Sequence, residues 1–273
     1  MFQTPARRSQ LSQILSIGDL IYHSIVHNVR KSHKNALIGL LLNILQTIIF
    51  VAAFYMMYQI FGIRRVQIRG DFMVYLFTGV FLFMAHAKAI GAVVRADGPT
   101  SSMMKHGPLN TLVTISASAL STLYLQIVSL VTVLFLYNLI FHTVQIDDPI
   151  GAFGCLLLAW FSGVAVGVIF LSIKPWWPTF AGIASTVYSR ANMVGSGKMF
   201  VANTLSPKML AIFSWNPLFH TIDQARGFVF INYNPHNSSF MYPFYVSMAL
   251  LVIGMMAEFF TRKNASVSWD AGR

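Results

Sequence analysis

Residues Ala36 to Phe61 read ALIGLLLNILQTIIFVAAFYMMYQIF, a run without one charged side chain. A bilayer core about 30 Å thick needs roughly 20 apolar residues per helical crossing, so this stretch predicts a transmembrane helix. Working outward, the signature returns. Phe72 to Val94 is a second such run, with His86 and Lys88 in its last third, and Ile150 to Ile173 is another. Thr111 to Phe141 is uncharged and too long for an upright crossing, which implies tilt or a protruding turn. Tyr242 to Phe260 closes the series. Before it, an apolar segment from Trp176 is interrupted by Arg190 and broken by Gly195-Ser196-Gly197-Lys198, resuming at Met199. Counted as the fifth crossing, it gives an all-α integral membrane protein with six transmembrane helices.

Composition agrees. Of 273 residues, 56% are hydrophobic and 10% charged, against about a quarter charged in soluble domains. With 23 Phe and a mean hydropathy of +0.63, one soluble core cannot hide the apolar surface. The net charge of +11 is explained by where the bases fall. With an internal amino terminus, Arg7, Arg8, Arg30, Lys31, Lys34, Arg95, Lys105, Lys174, Arg262, Lys263 and Arg273 lie inside. Arg64, Arg65, Arg69, Lys198, Lys208 and Arg226 lie outside. Eleven against six follows the positive-inside rule, so both termini are expected in the cytoplasm and no nucleic-acid partner is expected. The single cysteine, Cys155, excludes an intrachain disulfide or a CxxC metal site.

Two segments are neither crossings nor plain loops. Ile14, Ile17, Ile21, Ile25 and Val29 recur at helical spacing opposite Ser16, Asp19, His23, His27, Arg30 and Lys34, the pattern of an amphipathic interfacial helix. Gly195 to Asn234 carries Pro207, Pro217 and Gly227 between short apolar stretches. It reads as a re-entrant hairpin or short helices shielded from lipid by protein. The chain therefore divides into a cytoplasmic amino terminus with its interfacial helix (1–35), a six-span body (36–262) and a cytoplasmic tail (263–273).

Chemistry-bearing motifs are few. The Gly195–Lys198 string has Asn192 and Met199 where a phosphate loop needs Gly and Ser or Thr, so no nucleotide site is expected. Asp19, His23 and His27 share a helix face, but a polar face toward headgroups accounts for them better than a metal. No Ser-His-Asp order, HExxH pair or acid cluster supports an enzyme, so no catalytic residue is assigned. The ionisable groups at membrane depth are Lys88, Arg190 and Glu258, the only Glu; Arg190 is the deepest and best suited to face a cavity. Tyr55, Tyr58, Phe61, Phe77 and Phe81 belong to an aromatic concentration in the first two spans. Rings of this kind stack on sugar faces, anchor at interfaces or pack in a core. Arg64, Arg65 and Arg69 stand against the charge bias, where guanidinium groups can hold phosphate or carboxylate.

The order of features resembles the type-two ABC exporter permeases: an interfacial helix ending in Arg30-Lys31, six spans, a cytoplasmic turn from Arg95 to Asn110 and a broken connection before the last span. Trp215-Asn216-Pro217-Leu218-Phe219-His220-Thr221-Ile222-Asp223-Gln224-Ala225-Arg226-Gly227 resembles the pattern before the last span in capsule and O-antigen exporters. Taken alone, Asn216 can cap a helix, Pro217 suits its first position, and Asp223 and Arg226 stand one turn apart as a pair. The resemblance implies a homodimer in a bacterial inner membrane that passes a lipid-linked polysaccharide. It would be driven by two copies of a separate ATPase that binds ATP and Mg, with no cofactor in this chain and with periplasmic and outer-membrane export components as further partners. It also makes Ala96 to Gly107 the coupling helix, with Ala96, Asp97, Met103, Met104 and Lys105 against the ATPase. The turn departs from the usual basic-rich version in having Asp97, Gly98 and Pro99 first. A permease for a small lipid or drug shares the topology. A membrane enzyme is the reading from another class, and a proton-coupled transporter would show acids at mid-membrane.

Overall fold

The structure is a computed structural model that describes residues 10–31, 36–62, 68–96, 111–141 and 143–264. Its elements are α1 (Gln10–Lys31), α2 (Ala36–Ile60), α3 (Phe72–Arg95), α4 (Thr111–Ile140), α5 (Pro149–Ile173), α6 (Pro178–Gly195), α7 (Pro207–Phe213), α8 (Pro217–Val229) and α9 (Met241–Asn264), with a 3₁₀ turn at Ala202–Thr204. Among the described residues every element is helical. Five helices, α2, α3, α4, α5 and α9, are long and apolar enough to cross a membrane by length and composition, which fits a multi-pass membrane protein.

The caps explain where helices start. The Asp71 carboxylate accepts the Met73 amide at 2.8 Å and the Tyr137 hydroxyl at 2.5 Å, fixing the first turn of α3 against α4. The Asp148 carboxylate accepts the amides of Ile150 and Gly151, with Pro149 in the first helical position of α5.

Small residues set the packing. A Cβ on Gly163 would fall 2.4 Å from the His86 carbonyl and one on Gly167 2.8 Å from the Val93 side chain, so α5 lies in close, parallel contact with α3. Gly254 presses on Val168 and Ile169, and the Thr261 hydroxyl bonds the Ser172 carbonyl, placing α9 parallel to α5. The contacts of Asn43 with Lys88 and of Tyr58 with Phe72 make α2 antiparallel to α3. α3 and α5 form the buried centre. α2, α4 and α9 leave Leu41, Ile49, Val131, Phe135, Val252 and Phe259 exposed, the faces a lipid solvent or a further subunit would cover.

α1 forms where the amphipathic pattern predicts it and lies along α4, with the Asn28 amide bonded to Ser118 at 3.3 Å. Asp19, His23 and His27 are exposed, and Ile21, Ile25 and Val29 are half-buried.

Candidate functional site

The apolar pattern breaks at Gly195, and there the fold becomes irregular. α6 runs antiparallel to α3, bringing Tyr188 against His86 and then Lys198 against Gly79. Gly197 adopts φ +75°, which favours glycine, and a Cβ there would fall 2.8 Å from the Phe219 ring. The chain next reaches Asn203, whose side-chain amide donates to the Asn234 carbonyl at 2.8 Å. From there α7 folds back until Phe213 lies beside Gly195. α8 returns, its Phe228 carbonyl accepting the Asp148 amide at 2.7 Å. α7 and α8 are therefore a helical hairpin whose tip, Trp215–Asn216, sits at the end of α6 and whose open end lies at the start of α5.

A non-helical stretch inside an apolar bundle must have its polar backbone satisfied by protein. Here the four consecutive carbonyls of Gly197 to Phe200 are all captured. One Arg226 nitrogen, Nη1, donates to Gly197 O at 3.0 Å and Phe200 O at 2.6 Å, and Nη2 donates to Lys198 O at 2.9 Å. The Tyr58 hydroxyl takes Met199 O. Arg226 is only 1% exposed, and its guanidinium lies over the Tyr75 ring, 4.2 Å from the centroid, a favourable cation–π contact. The planar fork of Arg suits this task, since one side chain reaches three acceptors in fixed directions.

Asn216 performs two jobs at the hairpin tip. Its Oδ1 accepts the Leu218 amide at 3.0 Å, capping α8, while Nδ2 donates to Asn192 Oδ1 at 2.7 Å and Gly195 O at 3.0 Å. The end of α6 is thus fastened to the start of α8. His220 Nε2 donates to Ser214 O at 2.7 Å, and Nδ1 accepts the Ser239 amide at 3.1 Å, which fixes one neutral tautomer.

The expected Asp223–Arg226 pair does not form. Asp223 accepts the hydroxyls of Tyr233 and Ser238, the latter at 2.7 Å, while Arg226 is spent on the carbonyls opposite. The two side chains leave α8 in different directions because each has a better-placed tertiary partner. Burial and the Asp223 carboxylate push the Tyr233 phenol up, so it stays a donor at any ordinary pH.

Lys198 also departs from expectation. Counted above among the outer charges, it is 2% exposed and its ammonium, which has no hydrogen-bond partner among the described residues, sits over Phe83 at 3.5 Å, Phe54 at 4.6 Å and Phe50 at 5.1 Å from the ring centroids. Gly79 makes room for it, since a Cβ there would fall 2.8 Å from the Lys198 Cβ.

The remaining sequence candidates are scattered. Tyr58, Phe77 and Phe81 are core residues, Tyr55 and Phe61 are exposed on the far half of α2 and just beyond it, and Arg190 is exposed on α6. Tyr55 and Phe77 share one apolar pocket of about 260 Å³ between α2, α3 and α4, and Phe77 and Phe81 border another. Arg69 lines a cavity of about 510 Å³ of mixed character, with Asp71, Gln145, Asp147 and Asn232 beside Val74, Val229 and Phe230. Ala96 is buried after α3; Asp97, Met103, Met104 and Lys105, like Arg64 and Arg65, lie outside the described residues. The sequence did not assign Tyr75, Asn192, Lys198 or Tyr233 to a site. Of these only Lys198 carries a local signal, a base in a broken apolar segment. No family model matches the chain, and no curated protein matches it.

Proposed function

We propose that the chain is the membrane subunit of a type-two ABC exporter, acting as a homodimer that moves a lipid-linked polysaccharide across a bacterial inner membrane. In this reading α6 and the α7–α8 hairpin together make the fifth of six crossings, and both termini face the cytoplasm. The hairpin is re-entrant: it enters and leaves on the outer side, with Trp215 and Asn216 at its tip. ATP hydrolysis belongs to a separate subunit that docks between α3 and α4, on the turn carrying Asp97, Met103, Met104 and Lys105.

The observation that carries this reading is the capture of the Gly197–Phe200 carbonyls by Arg226 and Tyr58. A broken crossing closed by an internal clamp supports a permease, because irregular backbone at membrane depth persists only where it is buried in protein or lines a cavity, and transporters place broken crossings of this kind beside their pathways. The exposed apolar faces of α2 and α6, with Ile49, Met56, Ile183 and Val187 outward, are available to a second copy or to lipid.

A second reading, export of a small lipid or drug by the same architecture, is favoured by one observation. Tyr58, Phe77 and Phe81 pack inside the core instead of forming a continuous ring-lined wall.

Deletion of the chain in its host decides between them. Loss of surface polysaccharide with lipid-linked polymer retained inside the cell is the expected result. Unchanged surface polymer refutes the polysaccharide reading. ATP hydrolysis by the purified polypeptide alone would refute the exporter-subunit reading altogether.

A further inference from the structure

α6 runs beside α3, one of the five helices long and apolar enough to cross a membrane, and that contact fixes its depth. The Lys174 ammonium donates to Val94 O at 3.0 Å, so α6 begins near the level at which α3 ends. Tyr188 then meets His86, and Lys198 meets Gly79. These two levels bracket the midpoint of α3. Arg190 lies between them, about 18 Å along α6 from Pro178 at 1.5 Å per residue. Two residues turn a helix by about 200°, so Arg190 leaves α6 on the side opposite to the one on which Tyr188 meets α3.

Arg190 is exposed and has no hydrogen-bond or ion-pair partner among the described residues. A guanidinium stays charged, and a charge facing hydrocarbon at this depth is costly. Half of a 30 Å core is about 15 Å, further than one side chain can snorkel. The neighbours on α6 repeat the signal. Thr179, Gly182, Thr186 and Arg190 follow at spacings of three and four, all exposed, which sets them in one line along the helix. Phe180, Ile183 and Val187 form an apolar line beside it. In α2, α3, α4, α5 and α9 the only exposed charges are Arg95, Arg262 and Lys263, each in a last turn.

No described carboxylate answers Arg190, in this copy or in a second one. Asp71, Asp147 and Asp148 stand where α3 and α5 begin, Asp223 is taken by two hydroxyls, Glu258 is buried, and Asp19 lies on α1. The guanidinium is left to water and to an anion from outside the protein.

We propose that the line from Thr179 to Arg190 walls a hydrated path between two copies of the chain, and that Arg190 holds a phosphate group of the molecule passing along it. This rests on the exporter reading above, in which two copies act together on a lipid-linked cargo. The guanidinium fork takes two phosphate oxygens at once. Bilayer headgroups stay at the membrane surfaces, so a phosphate at this depth is one being carried. The apolar line of Phe180, Ile183 and Val187 is covered by the second copy.

The test uses the full chain in phosphatidylcholine nanodiscs, with Cys155→Ala and one added cysteine. Thr186→Cys, one turn from Arg190, should react with water-soluble methanethiosulfonates, whereas Val252→Cys, exposed at the middle of α9, should not. Arg190→Gln should lower the ratio of anionic-reagent to cationic-reagent rates at Thr186→Cys roughly three- to tenfold, the effect of one charge about 6 Å away in water with and without salt screening. Inorganic pyrophosphate should slow the labelling saturably, and should lose that effect in Arg190→Gln. The proposal is overturned if Thr186→Cys is unreactive or no faster than Val252→Cys, if the ratio is unchanged by Arg190→Gln, or if pyrophosphate gives no protection or protects equally without Arg190. Should Thr186→Cys fail to assemble, Gly182→Cys replaces it under the same outcomes, since nothing lies within 4 Å of a Cβ added there. The exporter reading fails by a separate result: unchanged surface polymer on deletion, with this labelling pattern intact, overturns that reading and leaves the phosphate site standing.

Discussion

Replacing Arg226 with Met keeps a long apolar stem over Tyr75 and removes every donor. Lys198 O and Phe200 O then lose their Arg226 donors, at 2.9 and 2.6 Å. Gly197 O keeps only a long contact from the Phe200 amide at 3.4 Å. A buried acceptor left unsatisfied costs about 1–3 kcal/mol, so two orphaned carbonyls cost roughly 2–6 kcal/mol. Loss of the contact over Tyr75 adds to this, while relief from burying a guanidinium subtracts, which favours the lower end. Even about 2 kcal/mol raises the population of an opened 197–200 segment by a factor of roughly 30. The assay is maleimide labelling of Met199→Cys in a Cys155→Ala background, in nanodiscs, with and without Arg226→Met. Labelling should be slow in the first and faster by at least that order in the second, with a lower thermal midpoint. Equal labelling rates in the two proteins would refute the claim that Arg226 holds this segment closed.

Asn216→Ala should destabilise by about 1–3 kcal/mol, since it removes a cap and two donors, whereas Asn216→Asp keeps the cap and loses only the donors; identical thermal midpoints for the two variants would count against the double role. His220 joins the hairpin to the stretch before α9, its Nε2 donating to Ser214 O at 2.7 Å and its Nδ1 accepting the Ser239 amide at 3.1 Å. His220→Leu removes both bonds and should lower the thermal midpoint, whereas an unchanged midpoint would show that His220 does not tie these segments together. Gly79→Ala should force the 197–200 segment off α3 and lower expression and melting temperature, while Gly154→Ala, where nothing lies within 4 Å of an added Cβ, should be tolerated; equal behaviour of the two would show that contact at Gly79 does not matter.

Five of the six expected crossings were legible because hydrocarbon thickness dictates a length that α2, α3, α4, α5 and α9 meet, whereas the run from Trp176 does not. The hairpin tip was legible too, where Asn216 and Pro217 carry a capping signal that needs no tertiary information. The partners of Arg226 were not. Spacing on a helix names only the neighbours three and four residues away, and so offered Asp223, while the true acceptors lie 26 to 29 residues back on another segment. The sorting of aromatic rings failed for a different reason. Lipid tails are as apolar as a protein core, so Phe77 and Phe81, which are buried, and Phe61, which is exposed, look alike in the sequence.

Arg226 and Lys198 lie on adjoining segments, both buried, and neither forms an ion pair among the described residues. Arg226 is met by carbonyl dipoles and Lys198 by the faces of three rings, while Asp223 takes two hydroxyls. An Asp223–Arg226 pair along α8 would have stabilised that helix alone, by about 0.5 kcal/mol or less. Separate neutralisation does something a local pair cannot. Arg226 joins α8 to the segment after α6, Lys198 joins that segment to α2 and α3, Asp223 joins α8 to the stretch leading into α9, and Asn216 joins α8 to α6. Every element that moves past the hairpin must then break a charged or multiply bonded contact, so displacement of α6 is passed to α8, α2 and α3 instead of being absorbed in a loop. In the exporter proposed above, which would convert force applied at one membrane face into movement of the whole bundle, stiffness at this irregular segment is the requirement, and the buried cations would supply it.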